Sequence, residues 1–178
     1  HNIDMKHFNL KHSILMLVFL GLLSACSTES IVVKDVHATD VKSSECKTSL
    51  STNNTHTDNY QTLTNNPTVL HLQMTADNTV NAQFVDVLDN CMISQFHVEA
   101  ISEGNKIVVI LYPHEDMATD CVCQYDVDFK LKSLPAGSYQ LEVYHTTANK
   151  KTLESYRIYQ GTVAFAPNKS ITLTMKRR

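Results

Sequence analysis

A strict alternation of side-chain types runs over residues 121–131. Every second residue is apolar or cysteine, and the residues between them are mostly polar or charged. Successive side chains of a β-strand point to opposite faces, so this period of two predicts a strand with one face in a core. The pattern puts Cys121 and Cys123 on the core side and Asp126 and Asp128 on the outer side.

The same period continues through most of the chain after Pro67. Turn-forming residues separate the alternating runs, and no window keeps a helical period. We expect further strands near residues 70–74, 80–88, 96–100, 106–112, 139–143, 156–165 and 171–175. About eight short strands with regular turns are typical of an antiparallel β-sandwich, and we predict this all-β fold for residues 67–178. A closed β-barrel is the alternative.

The beginning of the chain has the features of an export signal. Lysines precede an apolar run over residues 14–23, which is too short to cross a bilayer as a helix. The run ends in Leu-Ser-Ala-Cys, which resembles the lipobox of bacterial lipoproteins. The resemblance implies that residues 1–25 are removed and that Cys26 carries a lipid that anchors the protein in a membrane. Ser27 after the cysteine resembles the pattern for outer-membrane retention, so we expect a location in the bacterial cell envelope at the outer membrane.

Residues 26–66 have the composition of a tether. Fourteen of the forty residues after Cys26 are serine or threonine, and apolar residues are sparse. Such a segment buries too little apolar surface to offset the entropy lost when it becomes ordered. We therefore predict a flexible stalk between the lipid anchor and the domain. The alternative is that residues 31–36 add an edge strand to the domain.

The cysteines are the main chemical feature of the predicted domain. Cys121 and Cys123 lie two apart on one strand, with Cα atoms about 6.5–7 Å apart, which is at the limit for a direct disulfide. In an oxidising envelope we expect Cys91 to pair with one of them. Cys46 is available for the other and would pin the stalk to the domain. Free buried thiols are the structural alternative.

A metal site is the functional alternative for the same cysteines. Cys91, Cys121 and Cys123 would supply thiolates, and a histidine would supply the fourth ligand. The candidate histidines are His97, His114 and His145. Soft ligands of this kind suit zinc or cuprous copper.

The segment 121–144, CVCQYDVDFKLKSLPAGSYQLEVY, resembles small lipoproteins of the Bacteroidetes. The shared features are a Cys-x-Cys-x-Tyr-Asp-Val strand and a Gly-x-Tyr turn, and LPAGSYQLEVY is similar to a segment of transthyretin-like and Ig-like sandwiches. The resemblance implies an envelope location and an Ig-like or transthyretin-like sandwich of about seven or eight strands. It implies no catalytic residue and no cofactor.

Charge and motifs narrow the possible functions. The formal net charge of −3 gives no reason to expect nucleic acid as a partner, and no catalytic sequence motif is present. We predict a non-enzymatic binding or structural module that contacts a protein or glycan through an exposed apolar or aromatic patch. Two alternatives stay open: the metal-binding or thiol-redox lipoprotein, and an envelope hydrolase that uses Asp126 and Asp128.

Overall fold

The structure is a computed structural model that describes residues 35–47, 49–51, 66–116 and 119–177, with the backbone alone for 49–51. All of these residues belong to one compact unit, Ile31–Arg178. The predicted signal peptide and the lipobox at Cys26 lie outside the described residues. In the part of the chain that is described, no helix is long and apolar enough to cross a membrane.

Ten strands account for most of the described residues. They are β1 (His37–Ser43), β2 (Ser49–Ser51), β3 (Val69–Met74), β4 (Val80–Asn90), β5 (Phe96–Glu103), β6 (Lys106–Pro113), β7 (Cys121–Lys132), β8 (Gly137–His145), β9 (Arg157–Phe165) and β10 (Ser170–Thr174). A 3-10 turn, Glu154–Tyr156, precedes β9. Strands β3 to β10 are the eight strands that the alternation predicts, so these predictions are confirmed.

The strands form two sheets that pack face to face. The larger sheet has the order β1-β7-β4-β3-β10, and β2 also pairs with β7, further along the same strand. The smaller sheet has the order β5-β6-β8-β9. The predicted all-β sandwich is therefore confirmed.

One strand pair departs from the antiparallel prediction. β6 and β8 run parallel, with Ile107 opposite Leu141 and Val109 opposite Val143. The reason is the route of the chain: after β6 it crosses to the larger sheet, forms β7 there, and returns to the smaller sheet as β8. Parallel neighbours need such a crossover, whereas antiparallel neighbours can be joined by a tight turn.

The core lies between the two sheets and is built from the apolar faces of the alternating strands. Phe84 and Phe129 stack within the larger sheet, with ring centroids 5.4 Å apart. Tyr125 of the larger sheet meets Phe96 of the smaller sheet edge to face at 5.3 Å. Aromatic contacts of this geometry contribute about 0.5–1.5 kcal/mol each beyond the burial of area, so they help to hold the sheets in one arrangement.

Hydrogen bonds also join the sheets along both sides of the sandwich. On one side, the backbone N–H of Phe96 in β5 donates to Oγ of Ser43 in β1 at 2.9 Å. On the other side, the N–H of Lys176 after β10 donates to the carbonyl of Ile158 in β9 at 2.7 Å. These bonds satisfy backbone groups that an open sheet edge would leave unpaired.

The prediction of a flexible stalk over residues 26–66 is wrong where β1 and β2 form. Both strands pair with the edge of β7 that is remote from β4. The edge-strand alternative at 31–36 falls largely outside the described residues, and the described edge strand, β1, begins at His37. An edge strand is held largely by backbone hydrogen bonds, so it needs few apolar side chains, and only Ala38 and Val41 of β1 pack against the core.

Candidate functional site

Two disulfides hold β7 to both of its neighbours. Cys91, just after β4, is bonded to Cys121, with Cα atoms 5.5 Å apart. Cys46, between β1 and β2, is bonded to Cys123, with Cα atoms 5.7 Å apart. The prediction of disulfides is confirmed. Both Cα distances lie within the usual disulfide range. A disulfide between Cys121 and Cys123 themselves would lie at the limit of that range, because they are two residues apart on one strand.

The alternative metal site at Cys91, Cys121, Cys123 and His97 does not form. The cysteines are disulfide-bonded and present no thiolate to a metal. His97 lies beside His114 and stacks on Tyr112. Within the described ranges, no three His, Cys, Asp or Glu side chains cluster as metal ligands.

His145, which is also a candidate ligand, makes a contact between the two sheets. It is buried, and its Nε2 lies 2.7 Å from Oδ2 of Asp89 in β4. Its ring also lies near Phe96, with centroids 6.2 Å apart. The position of His145 is therefore explained by packing at one end of the sandwich.

Asp126 and Asp128 differ sharply in their surroundings. Oδ1 of Asp126 lies 2.6 Å from Nζ of Lys47 and also accepts the backbone N–H of Asp86 at 3.1 Å. The same ammonium contacts the carboxylate of Asp86 at 2.6 Å. Partial burial works to lower the pKa of Lys47, but the hydrogen bonds to Asp126 and Asp86 outweigh it and the pKa is raised. Asp126 is thus part of an ion-pair network, whereas Asp128 has no hydrogen-bond or ionic partner among the described residues.

Asp128 belongs to a row of polar side chains that crosses the outer face of the larger sheet. Strand register places one residue from each of five strands side by side. From β1 to β10 the row is Lys42, Asp128, Gln83, His71 and Thr172. Neighbouring strands are about 4.8 Å apart, so the row extends over about 19 Å. Nδ1 of His71 contacts Oγ1 of Thr172 at 3.0 Å, which orients the imidazole.

A second polar row lies two residues further along each strand. It contains Lys130, Asn81, Gln73 and Ser170. Nζ of Lys130 lies 2.8 Å from Oδ2 of Asp40 in β1, and this hydrogen bond lowers the pKa of the Asp40 carboxyl. This ion pair lies at the end of the second row that is next to β1.

The two rows form the floor of an open depression. A volume of about 610 Å³ lies over β1, β7 and β4, and a volume of about 290 Å³ lies over β4, β3 and β10. Asn81 and Asp128 line both volumes, so the depression is continuous across the sheet. The side chains of Asn81, Gln83 and Asp128 have no hydrogen-bond partner among the described residues. The depression is open, so a ligand in it would be contacted on one face and would stay exposed to solvent on the other.

Two bulges interrupt the pairing of the larger sheet, one on each side of β7. The β1–β7 register shifts between Thr39 and Lys42, and Asp40 there has φ 55°. The β4–β7 register shifts between Phe84 and Val87, and Asp86 there has φ 60°. An extra residue in one strand of a pair bends that strand and increases its twist, so we expect β1 and β4 to bend at these two positions.

The predicted apolar or aromatic patch is not found among the residues with described side chains. The large apolar side chains most exposed there are Met92, Ile101 and Leu153. They lie on separate elements: the β4–β5 loop, β5 and the β8–β9 loop. The candidate binding surface is therefore the polar depression.

Asp128 can be recognised as a candidate in the sequence, but the side chains that surround it cannot. Gln83, His71 and Asn81 are visible in the sequence only as the polar members of alternating strands. Their convergence depends on the order of non-consecutive strands, which the alternation does not contain.

No protein-family model, curated protein or solved structure matches this chain.

Proposed function

We propose that this protein is a lipid-anchored binding module of the bacterial cell envelope that holds a neutral glycan in the depression of its larger sheet. The observation that carries the proposal is the continuous depression, whose floor presents Asn81, Gln83 and Asp128 without partners among the described residues. Polar groups without protein partners at a concave surface are available to hydrogen-bond a ligand.

The chemistry of the floor favours a ligand rich in hydroxyl groups. Amides both donate and accept hydrogen bonds, and the carboxylate of Asp128 accepts them, which suits hydroxyls that do both. The opposite charges of Lys130 and Asp40 cancel in their ion pair. Lys42 is positive and Asp128 is negative, so the four side chains together have no net charge. An uncharged ligand therefore matches the floor better than an acidic or basic one.

The shape of the floor favours a chain over a compact molecule. The row from Lys42 to Thr172 crosses five strands, about 19 Å, with a polar side chain at each strand spacing. An oligosaccharide lying across the strands would contact these groups in succession. A protein partner that docks through apolar contacts is disfavoured because the most exposed large apolar residues with described side chains lie on three separate elements.

The same geometry supports binding without hydrolysis. Glycoside hydrolysis uses two carboxyl groups on opposite sides of the scissile bond. The depression is lined by the carboxylates of Asp40 and Asp128, and Asp40 is paired with Lys130. Asp126, the other residue of the hydrolase hypothesis, is paired with Lys47.

The lipobox supports attachment to a membrane, and Val36 limits the length of the tether because its side chain is buried in the core. Cys26 and Val36 are ten residues apart, and a fully extended chain of that length spans at most about 36 Å. The domain would thus be held within about one domain diameter of the lipid surface, close to surface or wall glycans.

Glycan binding is tested with the full chain in detergent on an array of neutral oligosaccharides, followed by calorimetry with the best ligand. We expect Asp128→Ala to weaken binding about tenfold or more, because a hydrogen bond to a charged group contributes about 1.5–3 kcal/mol. Gln83→Ala should weaken binding by a smaller factor. Gln140→Ala is the matched control, since Gln140 is an exposed amide of the smaller sheet that bonds Thr162.

Equal affinities of the Asp128 and Gln140 variants would overturn the proposed site. Absence of binding to every neutral oligosaccharide at millimolar concentration would overturn the ligand class. The anchor is tested separately: Cys26→Ser should move the protein from the detergent phase to the aqueous phase in a phase-partition assay.

A further inference from the structure

Two imidazoles meet at one end of the smaller sheet, away from the depression. His97 is in β5, and His114 follows the last residue of β6. Nε2 of His97 lies 3.0 Å from Nδ1 of His114, and the ring centroids are 5.2 Å apart. Both rings are accessible from solvent, so the pair can exchange a bound group with the surroundings.

Each imidazole is held in place by a different contact. The ring of His97 stacks on Tyr112, its cross-strand partner, with centroids 5.4 Å apart and an interplanar angle of 26°. The backbone N–H of His114 donates to the carbonyl of Gln95 at 2.9 Å, which extends the β5–β6 pairing by one more bond. The two nitrogens are therefore already in contact through an N–H···N hydrogen bond. An ion that binds both nitrogens replaces this bond, and each ring then carries its proton on its other nitrogen.

Tyr112, which supports His97, is itself fixed. Its hydroxyl donates to Oε1 of Glu99 at 2.9 Å, and Nζ of Lys150 lies 4.9 Å from the centre of its ring. Lys150 also pairs with Glu99. These contacts fix the Tyr112 ring on which His97 stacks. The carboxylate of Glu99 is already paired with Lys150.

We propose that His97 and His114 form a bidentate site for a divalent transition metal, with copper(II) as the preferred ion. Metal–imidazole bonds are about 2.0–2.1 Å long, so a metal bound to both nitrogens at a 3.0 Å separation would hold them about 91–97° apart, with both rings turned from their present hydrogen bond. That angle suits adjacent corners of a tetragonal copper(II) or nickel(II) centre better than a tetrahedral zinc site. Copper(II) also binds nitrogen ligands most tightly among the first-row divalent ions.

The protein supplies two ligands at this site, and water completes the coordination. In the described residues no third His, Cys, Asp or Glu joins the pair to make a larger cluster. Oδ1 of Asp116 accepts the backbone N–H of Ala148 at 2.8 Å, which directs that carboxylate to the β8–β9 loop. The open positions make the site suited to binding and handing on an ion, in contrast with a closed structural centre.

The test is electron paramagnetic resonance of the full chain with one equivalent of copper(II) chloride. We expect one bound copper(II) with a hyperfine pattern from two imidazole nitrogens. His97→Gln and His114→Gln should each weaken copper binding about tenfold or more, because the second imidazole is no longer held at high effective concentration. His37→Gln is the control, since His37 is an exposed imidazole of β1 that contacts the Asp35 carbonyl at 2.8 Å.

A second measurement needs no variant. Substoichiometric copper(II) should broaden the NMR signals of His97, Tyr112 and His114 before those of His37 and His71. A two-nitrogen spectrum that survives in both glutamine variants, or broadening that begins at His37 or His71, would overturn the proposal.

Discussion

Removing the disulfide between Cys46 and Cys123 should destabilise the domain by about 4 kcal/mol. The two cysteines are 77 residues apart, and the second disulfide spans 30 residues inside that loop. With the inner disulfide intact, about 48 residues remain to be closed, and the chain-entropy relation gives about 4 kcal/mol at 25 °C for a loop of that length. This is a large part of the stability of an ordinary domain.

The substitution is chosen so that the packing of the core changes little. Cys46 is exposed, whereas Cys123 is fully buried and packs in the core. Cys46→Ser therefore removes the bridge and leaves Cys123 as a small buried thiol. Glu45→Ser is the matched control, an exposed change at the adjacent position that should alter stability by less than about 0.5 kcal/mol.

The assay is urea unfolding under non-oxidising, non-reducing conditions at about pH 6, where few thiols are ionised and disulfide exchange is slow. The variant should show a lower midpoint with little change in slope, which indicates a loss of stability in a domain that still unfolds as one unit. A difference from the Glu45 control of less than about 1 kcal/mol would contradict the predicted contribution of the disulfide. It would mean that closing this loop does not restrict the unfolded chain as the entropy relation assumes.

Other parts of the fold give further predictions. Phe84 is fully buried and Phe84→Ala should cost about 3–5 kcal/mol in thermal or urea unfolding; a cost below about 1 kcal/mol would contradict its place in the core. Gly104 has φ 59° with open space around it, so Gly104→Ala should cost about 1 kcal/mol through backbone strain alone, and Gly104→Asn should cost less. Burial works to raise the pKa of Glu142, but the hydrogen bond from Lys106 helps to hold the pKa below the ordinary value of 4.5. A lowered carboxyl pKa stabilises the fold above the unfolded value, and this contribution is lost as the pH falls below it. Glu142→Gln should therefore flatten the acid side of a plot of unfolding midpoint against pH, and an unchanged acid side would contradict this account.

The strands were predictable because burial on one face leaves a period of two in the sequence. β7 is the clearest case: its inward residues Cys123, Tyr125 and Val127 are buried, and their positions alternate with polar or charged ones. The pattern reports which face a side chain occupies and says nothing about which strand lies beside it. The parallel β6–β8 pair therefore could not be foreseen, because it depends on the route of the chain between sheets.

The same limit explains why the depression was invisible in the sequence. Lys42, Asp128, Gln83 and His71 are separated by 12 to 86 residues in the chain, yet register makes them neighbours. β1 was harder still, because its composition is that of a polar linker. Its stability as a strand comes from pairing with β7 and from the nearby disulfide, and neither can be read from local composition.

β1 connects the anchor, the disulfide and the proposed ligand site. Asp40 and Lys42 of β1 line the depression, and Cys46 follows the strand and is bonded to β7. β1 is also the first described strand after the predicted lipid anchor, so tension on the tether would reach it before the rest of the sheet. If the depression binds a ligand, loosening β1 should weaken binding even where no contact residue is changed. Cys46→Ser should therefore lower ligand affinity, although Cys46 does not line the depression. Equal affinities of the wild type and this variant would contradict the idea that the disulfide holds β1 in place for the ligand.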